Sequence, residues 1–169
     1  MLTLVILSLC TLVGYLIGIF VKYGIPESIS DSYYYLYYKV VFTIIMWVVG
    51  GLLLPPIMEY TSTISETQII PFIGIFGILL VGAAPRFKDT ERTIHIVGAI
   101  LAIVFSQLWV IFYGLKEILL VWIIPLIVLI INGKKVDISW QQLFDKMKLL
   151  FWIEMICFLT IYYNLLILL

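Results

Sequence analysis

His95, Glu154 and the stretch Ser28-Ile29-Ser30-Asp31-Ser32 are the residues of this chain whose chemistry asks for an explanation. Histidine is the side chain that changes charge near neutral pH, and serine beside a carboxylate supplies the types needed for a nucleophile and its base. Ser30, Asp31 and His95 are therefore the candidates for acid, base or nucleophile work in a lipid-modifying reaction. Glu154 falls inside an apolar run, where a carboxylate is costly unless it is paired, protonated or near water. Lys148, Lys39 and Arg92 are the cations expected at its end of the chain's helices. A metal centre is not expected: a catalytic zinc takes about three His, Asp, Glu or Cys ligands, and His95 is the single histidine. Nothing in the pattern calls for a cofactor.

The elements that must position these residues are apolar. Hydrophobic residues make up 64% of the chain and charged ones 12%, against about 45–50% and about 25% in a soluble domain. Apolar runs occupy 1–21, 33–57, 68–84, 93–115, 118–132 and 148–169; about 20 residues of helix cross a hydrocarbon core about 30 Å thick. The expectation is an all-α, polytopic integral membrane protein, with six transmembrane helices in one compact bundle and a single domain. Residues 93–132 are too long for one crossing at about 1.5 Å per residue, so Tyr113–Glu117 is expected as a tight turn between two. Pro125 predicts a kink in the fifth span, and Pro55-Pro56 an end or late bend in the second. The N-terminal run has no basic leader and no small-residue cleavage site, so it is kept as a permanent span. Zero net charge gives no pointer to nucleic acid, and Cys10 and Cys157 read as plain packing residues.

Charge places the polar residues. Nine of the ten Lys and Arg lie in alternate gaps: Lys22 and Lys39, then Arg86, Lys88 and Arg92, then Lys134, Lys135, Lys146 and Lys148, with Lys116 the exception. The positive-inside rule then puts loops 22–32, 85–92 and 133–147 in the cytoplasm and both termini outside. Whatever the orientation, Glu27, Ser30, Asp31, Lys39, Arg86, Arg92, His95 and Glu154 belong to one side of the membrane. Glu27, Tyr33, Tyr34, Lys39, Arg92, His95 and Glu154 are the ligand-binding candidates. The tyrosines at 33, 34, 35, 37 and 38 read as an interfacial belt or as the mouth for an amphipathic ligand. Ser28 and Asp31 have capping-box spacing, Ser30 or Ser32 is placed to cap the second helix, and Ser139-Trp140-Gln141-Gln142 resembles a further capping box.

Small residues predict helix contacts, because helices in lipid associate by close packing. Cys10, Gly14 and Gly18 form one stripe, Gly98, Ala102 and Ser106 a second, and Gly74 and Gly77 add to it. Either stripe serves packing within the chain or a homo-oligomer seam through Gly14 and Gly18 or Gly98 and Ala102. Gln107 and Asn164 are expected to bond between helices.

The strings Pro26-Glu27-Ser28-Ile29-Ser30-Asp31-Ser32-Tyr33-Tyr34, Gly82-Ala83-Ala84-Pro85-Arg86-Phe87 and His95-Ile96-Val97-Gly98-Ala99 resemble an uncharacterised group of bacterial six-span membrane proteins, distantly similar to the DRAM-type eukaryotic membrane proteins. The resemblance implies the six-helix architecture and draws attention to Ser30, Tyr33, Tyr34 and His95, without bringing a reaction. Three functions stay open. The favoured one is a non-catalytic component that binds membrane lipid or a partner with its polar site on the cytoplasmic face. The others are a small oligomeric transporter or channel using Glu154 and His95, and a lipid-modifying enzyme using Ser30, Asp31 and His95.

Overall fold

The computed structural model describes residues 1–66, 68–86, 90–133 and 148–169. Every regular element among them is helical: α1 (Leu2–Tyr23), α2 (Ser32–Tyr35), α3 (Val40–Ser62), α4 (Ile69–Ala83), α5 (Glu91–Tyr113), α6 (Ile123–Gly133) and α7 (Leu149–Leu168). Tight 3₁₀ segments lie at Ala84–Arg86 and Lys116–Trp122. Helices α1, α3, α5 and α7 are long and apolar enough to cross a membrane, and α4 is a shorter apolar helix of 15 residues. Residues 134–147, with the expected capping sequence at 139–142 and most of the last basic loop, lie outside the described residues.

The second apolar run departs from its expected form. Tyr33 does not open a long helix: α2 is a single turn ended by the extended backbone of Leu36, and α3 starts only at Val40. The cause is a tether. Tyr15 on α1 shares a 2.5 Å hydrogen bond with the hydroxyl of Ser32, and Ser32 also donates to the carbonyl of Ile29, so the tyrosine run is tied sideways against α1. Pro55 and Pro56 do not end α3, which continues to Ser62 although two backbone donors are missing. Pro125 sits in the first turn of α6, where an amide has no intrahelical acceptor. The expected kink is replaced by a change from 3₁₀ to α geometry just before it.

Glycine decides the closest helix approach. A Cβ on Gly77 would collide with the backbone nitrogen of Ala102 and lie 2.6 Å from the carbonyl oxygen of Gly98. A Cβ on Gly98 would fall 2.9 Å from the nitrogen of Val81. The α4 and α5 backbones therefore touch along the stripe read from the sequence, and Gly98 and Ala102 are used inside the chain. The α1 stripe behaves differently: nothing lies within 4 Å of a Cβ built on Gly14 or Gly18, and Cys10 is exposed. Instead α1 turns Val5, Ser8, Leu12, Tyr15, Leu16 and Ile19 inward, and it packs on α3, which in turn packs on α4.

Buried polar side chains join helix to helix. Ser8 donates to the carbonyl of Val49 and shares a 2.7 Å hydrogen bond with Tyr162. Gln107 donates to Thr160 at 3.0 Å and accepts from the Trp122 indole at 3.0 Å, linking α5, α7 and the 3₁₀ segment. Asn164 accepts from the amide of Leu115, and Trp109 donates to Thr61 at 2.9 Å. Gln107 thus makes the interhelical bond expected of it, whereas Asn164 bonds to the link that follows α5 and to its own helix. Replacing Gly77 with Ala should lower stability by about 1–3 kcal/mol, because backbone cannot yield as a side chain does. Gly14→Ala should not. Thermal unfolding of both variants in detergent measures the contrast, and equal losses would contradict it.

Candidate functional site

The first loop folds because it is fastened at both ends. Gly24 adopts φ 76°, the left-handed conformation that glycine tolerates, and its amide closes α1 on the carbonyl of Phe20 at 3.0 Å. Beyond it, the Phe151 amide donates to the carbonyl of Glu27 at 2.9 Å, and the Lys148 ammonium donates to the carbonyl of Ile25. The loop is thereby laid across the start of α7. One arm of the expected capping box forms: the amide of Asp31 donates to Ser28 Oγ at 2.9 Å. Neither Ser30 nor Ser32 caps a helix; Asp31 precedes α2 without a side-chain capping bond.

Glu154 completes the fastening. Its carboxylate accepts the backbone N–H of Ile29 at 2.5 Å and the hydroxyl of Ser30 at 3.4 Å, and Ser30 shares a 2.9 Å bond with Ser28. The carboxyl group is thus held by a backbone N–H and a hydroxyl, whereas pairing with Lys148, Lys39 or Arg92 was expected. Lys148 serves Ile25, while the Lys39 ammonium sits 4.9 Å above the ring of Tyr33 and 5.8 Å from that of Tyr34.

Above this clamp lies a polar bowl of about 380 Å³, bounded by the first loop and by the start of α5. Its polar walls are Ser28, Ser30, Asp31, Tyr33, Tyr34, Glu91, Arg92 and His95. The Tyr34 hydroxyl donates to Glu91 Oε1 at 3.4 Å. Burial, and then the charge of Glu91, push the Tyr33 and Tyr34 hydroxyls above the usual phenol range, so both remain neutral donors. Below the clamp runs a narrow apolar cleft, about 50 Å³, with Glu154 and Ser30 at its head. Its sides are Ala102 and Ile103 of α5 against Cys157, Phe158 and Ile161 of α7, with Met46 and Ile78 behind. Ala102 and Ile103 on one side of it and Phe158 on the other are partly exposed. Bowl and cleft share Ser30, Phe42 and Val81.

The structure thus brings Ser30, Asp31, Tyr33, Tyr34, Arg92 and His95 to one cavity, with Glu154 immediately beneath. Lys39 stands behind the tyrosine rings, and Glu27 is exposed and contributes its backbone carbonyl to α7. Sequence reasoning gave Ser28 only a capping role and missed Glu91. Glu91 had a signal, since it precedes His95 by one helical turn and shares its face. The Ser30 hydroxyl donates to Glu154 and shares a bond with Ser28, and the cavity beside it presents side chains of both charges. Among the described residues no three His, Cys, Asp or Glu side chains converge as a metal site requires.

Glu154→Leu leaves the Ile29 amide without its acceptor and should cost about 1–3 kcal/mol. Glu154→Gln retains a carbonyl oxygen there and should cost less. Thermal unfolding, with amide hydrogen exchange followed across residues 24–32, reports both; equal losses would show that the side chain only fills space. No protein-family model, curated protein or solved structure matches this chain.

Proposed function

We propose that this chain is a six-span integral membrane protein that binds a membrane lipid non-catalytically, with its polar site at the cytoplasmic face. The observation that carries the reading is the adjacency of the polar bowl and the apolar cleft, which share Ser30, Phe42 and Val81 as wall residues. A lipid has the same order of parts: a charged head, an ester belt that accepts hydrogen bonds, and a chain. The head fits the bowl and the ester belt lies near Ser28 and Ser30. A chain runs along the lateral cleft with its outer side against bulk lipid, so it need not thread an enclosed tunnel.

The positions of the helix ends support six crossings. The Leu115 amide meets Asn164 near the far end of α7, whereas α7 begins beside the first loop. The chain must therefore return between 115 and 148. The 3₁₀ segment of 7 residues at about 2.0 Å each and α6 with 11 at about 1.5 Å each together reach about 30 Å. Helix α4 with the 3₁₀ turn after it gains a similar reach, about 28 Å. The Lys and Arg count supports placing the bowl in the cytoplasm and both termini outside.

Lipid extracted from the purified protein and weighed by mass spectrometry tests the binding. The wild type should carry phospholipid through delipidating washes, and Ala99→Phe, which fills the cleft, should lose most of it at an unchanged melting temperature. Equal retention would remove the cleft from the reading. For topology, cysteines introduced at Lys88 and Lys135 should resist a membrane-impermeant thiol reagent in intact cells, and one at Thr63 should react above the wild-type background. The opposite pattern would invert the orientation.

A further inference from the structure

We infer that the bowl selects a zwitterionic phospholipid with a primary ammonium, Asp31 and Glu91 receiving the ammonium and Arg92 with His95 receiving the phosphate. This rests on the lipid-binding reading and names its ligand class.

The charges argue first. Two carboxylates, one guanidinium and one imidazole line the same cavity, of about 380 Å³. An anionic head group would bring its charge beside Asp31 and Glu91 without a cation of its own to offset them. A purely cationic one would leave Arg92 facing no anion. A zwitterion satisfies both signs at once. The arrangement on α5 suits it: Arg92 and His95 are three residues apart and lie on neighbouring turns of one face, with Glu91 beside them.

The tyrosines then decide which ammonium. Quaternary ammonium is held by the faces of aromatic rings, because it has no N–H to donate. At this site the Lys39 ammonium already lies over the rings of Tyr33 and Tyr34, at 4.9 and 5.8 Å. What the bowl presents instead is carboxylate oxygen, and the Tyr34 hydroxyl holds Glu91 in place through Oε1. Carboxylates reward N–H donors with charge-assisted hydrogen bonds. The site is therefore built for a primary ammonium.

Native mass spectrometry of the full-length protein, offered equal amounts of dioleoyl phosphatidylethanolamine, phosphatidylcholine and phosphatidylglycerol, provides the test. Phosphatidylethanolamine should be retained about tenfold over either competitor, the weight of one charge-assisted hydrogen bond. Glu91→Gln and Asp31→Asn should each narrow its lead over phosphatidylcholine, and Arg92→Ala should weaken both zwitterions. Circular dichroism verifies that the variants remain folded. A preference for phosphatidylglycerol, equal retention of all three, or an unaltered lead in Glu91→Gln would overturn the inference and leave lipid binding standing. Retention of no lipid at all would overturn the lipid-binding reading itself. Soluble glycerophosphoethanolamine should not displace the lipid at equal concentration; if it did, a head group without chains would be the ligand.

Discussion

The bond from the Ile29 amide to the Glu154 carboxylate is the interaction on which the polar end of this protein depends. A carboxylate within an apolar helix must find donors, and a loop lying over that helix must find acceptors for its amides. Each requirement meets the other. Because the donors are a backbone N–H and a hydroxyl rather than a lysine, the loop cannot slide along α7 as a long side chain would allow. Ile29, Ser30 and Glu154 line the head of the cleft and Ser30 also lines the bowl, so losing the clamp would disturb both cavities together.

Glycine supports that arrangement from a distance. Gly77 and Gly98 let α4 and α5 meet backbone to backbone. The end of α4 and the start of α5, which carry Ala84, Glu91, Arg92 and His95, are thereby held against the first loop as a wall. On the other side α5 and α7 stand apart along the cleft and are joined further down by Gln107 and Thr160. Close contact on one flank and a spaced, hydrogen-bonded contact on the other give α5 a tight face and an open one.

The charge alternation and the apolar runs made much of this legible. They gathered Ser30, Asp31, Arg92, His95 and Glu154 at one end, and four of the helices are long and apolar enough to cross a membrane. Spacing also singled out Gly77 and Gly98 as packing residues, without pairing them. What sequence could not supply was the inward face of α1, because in a membrane helix both faces are apolar and periodicity loses its contrast. Small residues suggested the side with Gly14 and Gly18, whereas Ser8 and Tyr15 turned the helix the other way through their hydrogen bonds. The partner of Glu154 was hidden for a related reason: a backbone amide carries no sequence signature, and the visible cations nearby invited a salt bridge.

The tyrosine run gains its meaning from the same tether. Had residues 33–38 begun α3, the rings would have circled a helix and pointed in every direction, as an interfacial belt does. Pinning Ser32 to Tyr15 and Ile29 breaks the run after one turn and sends Tyr33 and Tyr34 to the bowl, while Tyr37 and Tyr38 stay exposed. Lys39 then folds back over the first pair. A lysine in that position screens the aromatic faces and directs the bowl's remaining polarity toward oxygen acceptors. The tyrosine rings at the bowl are thus met by a residue that does not line it, beside a turn whose serine is held by α1.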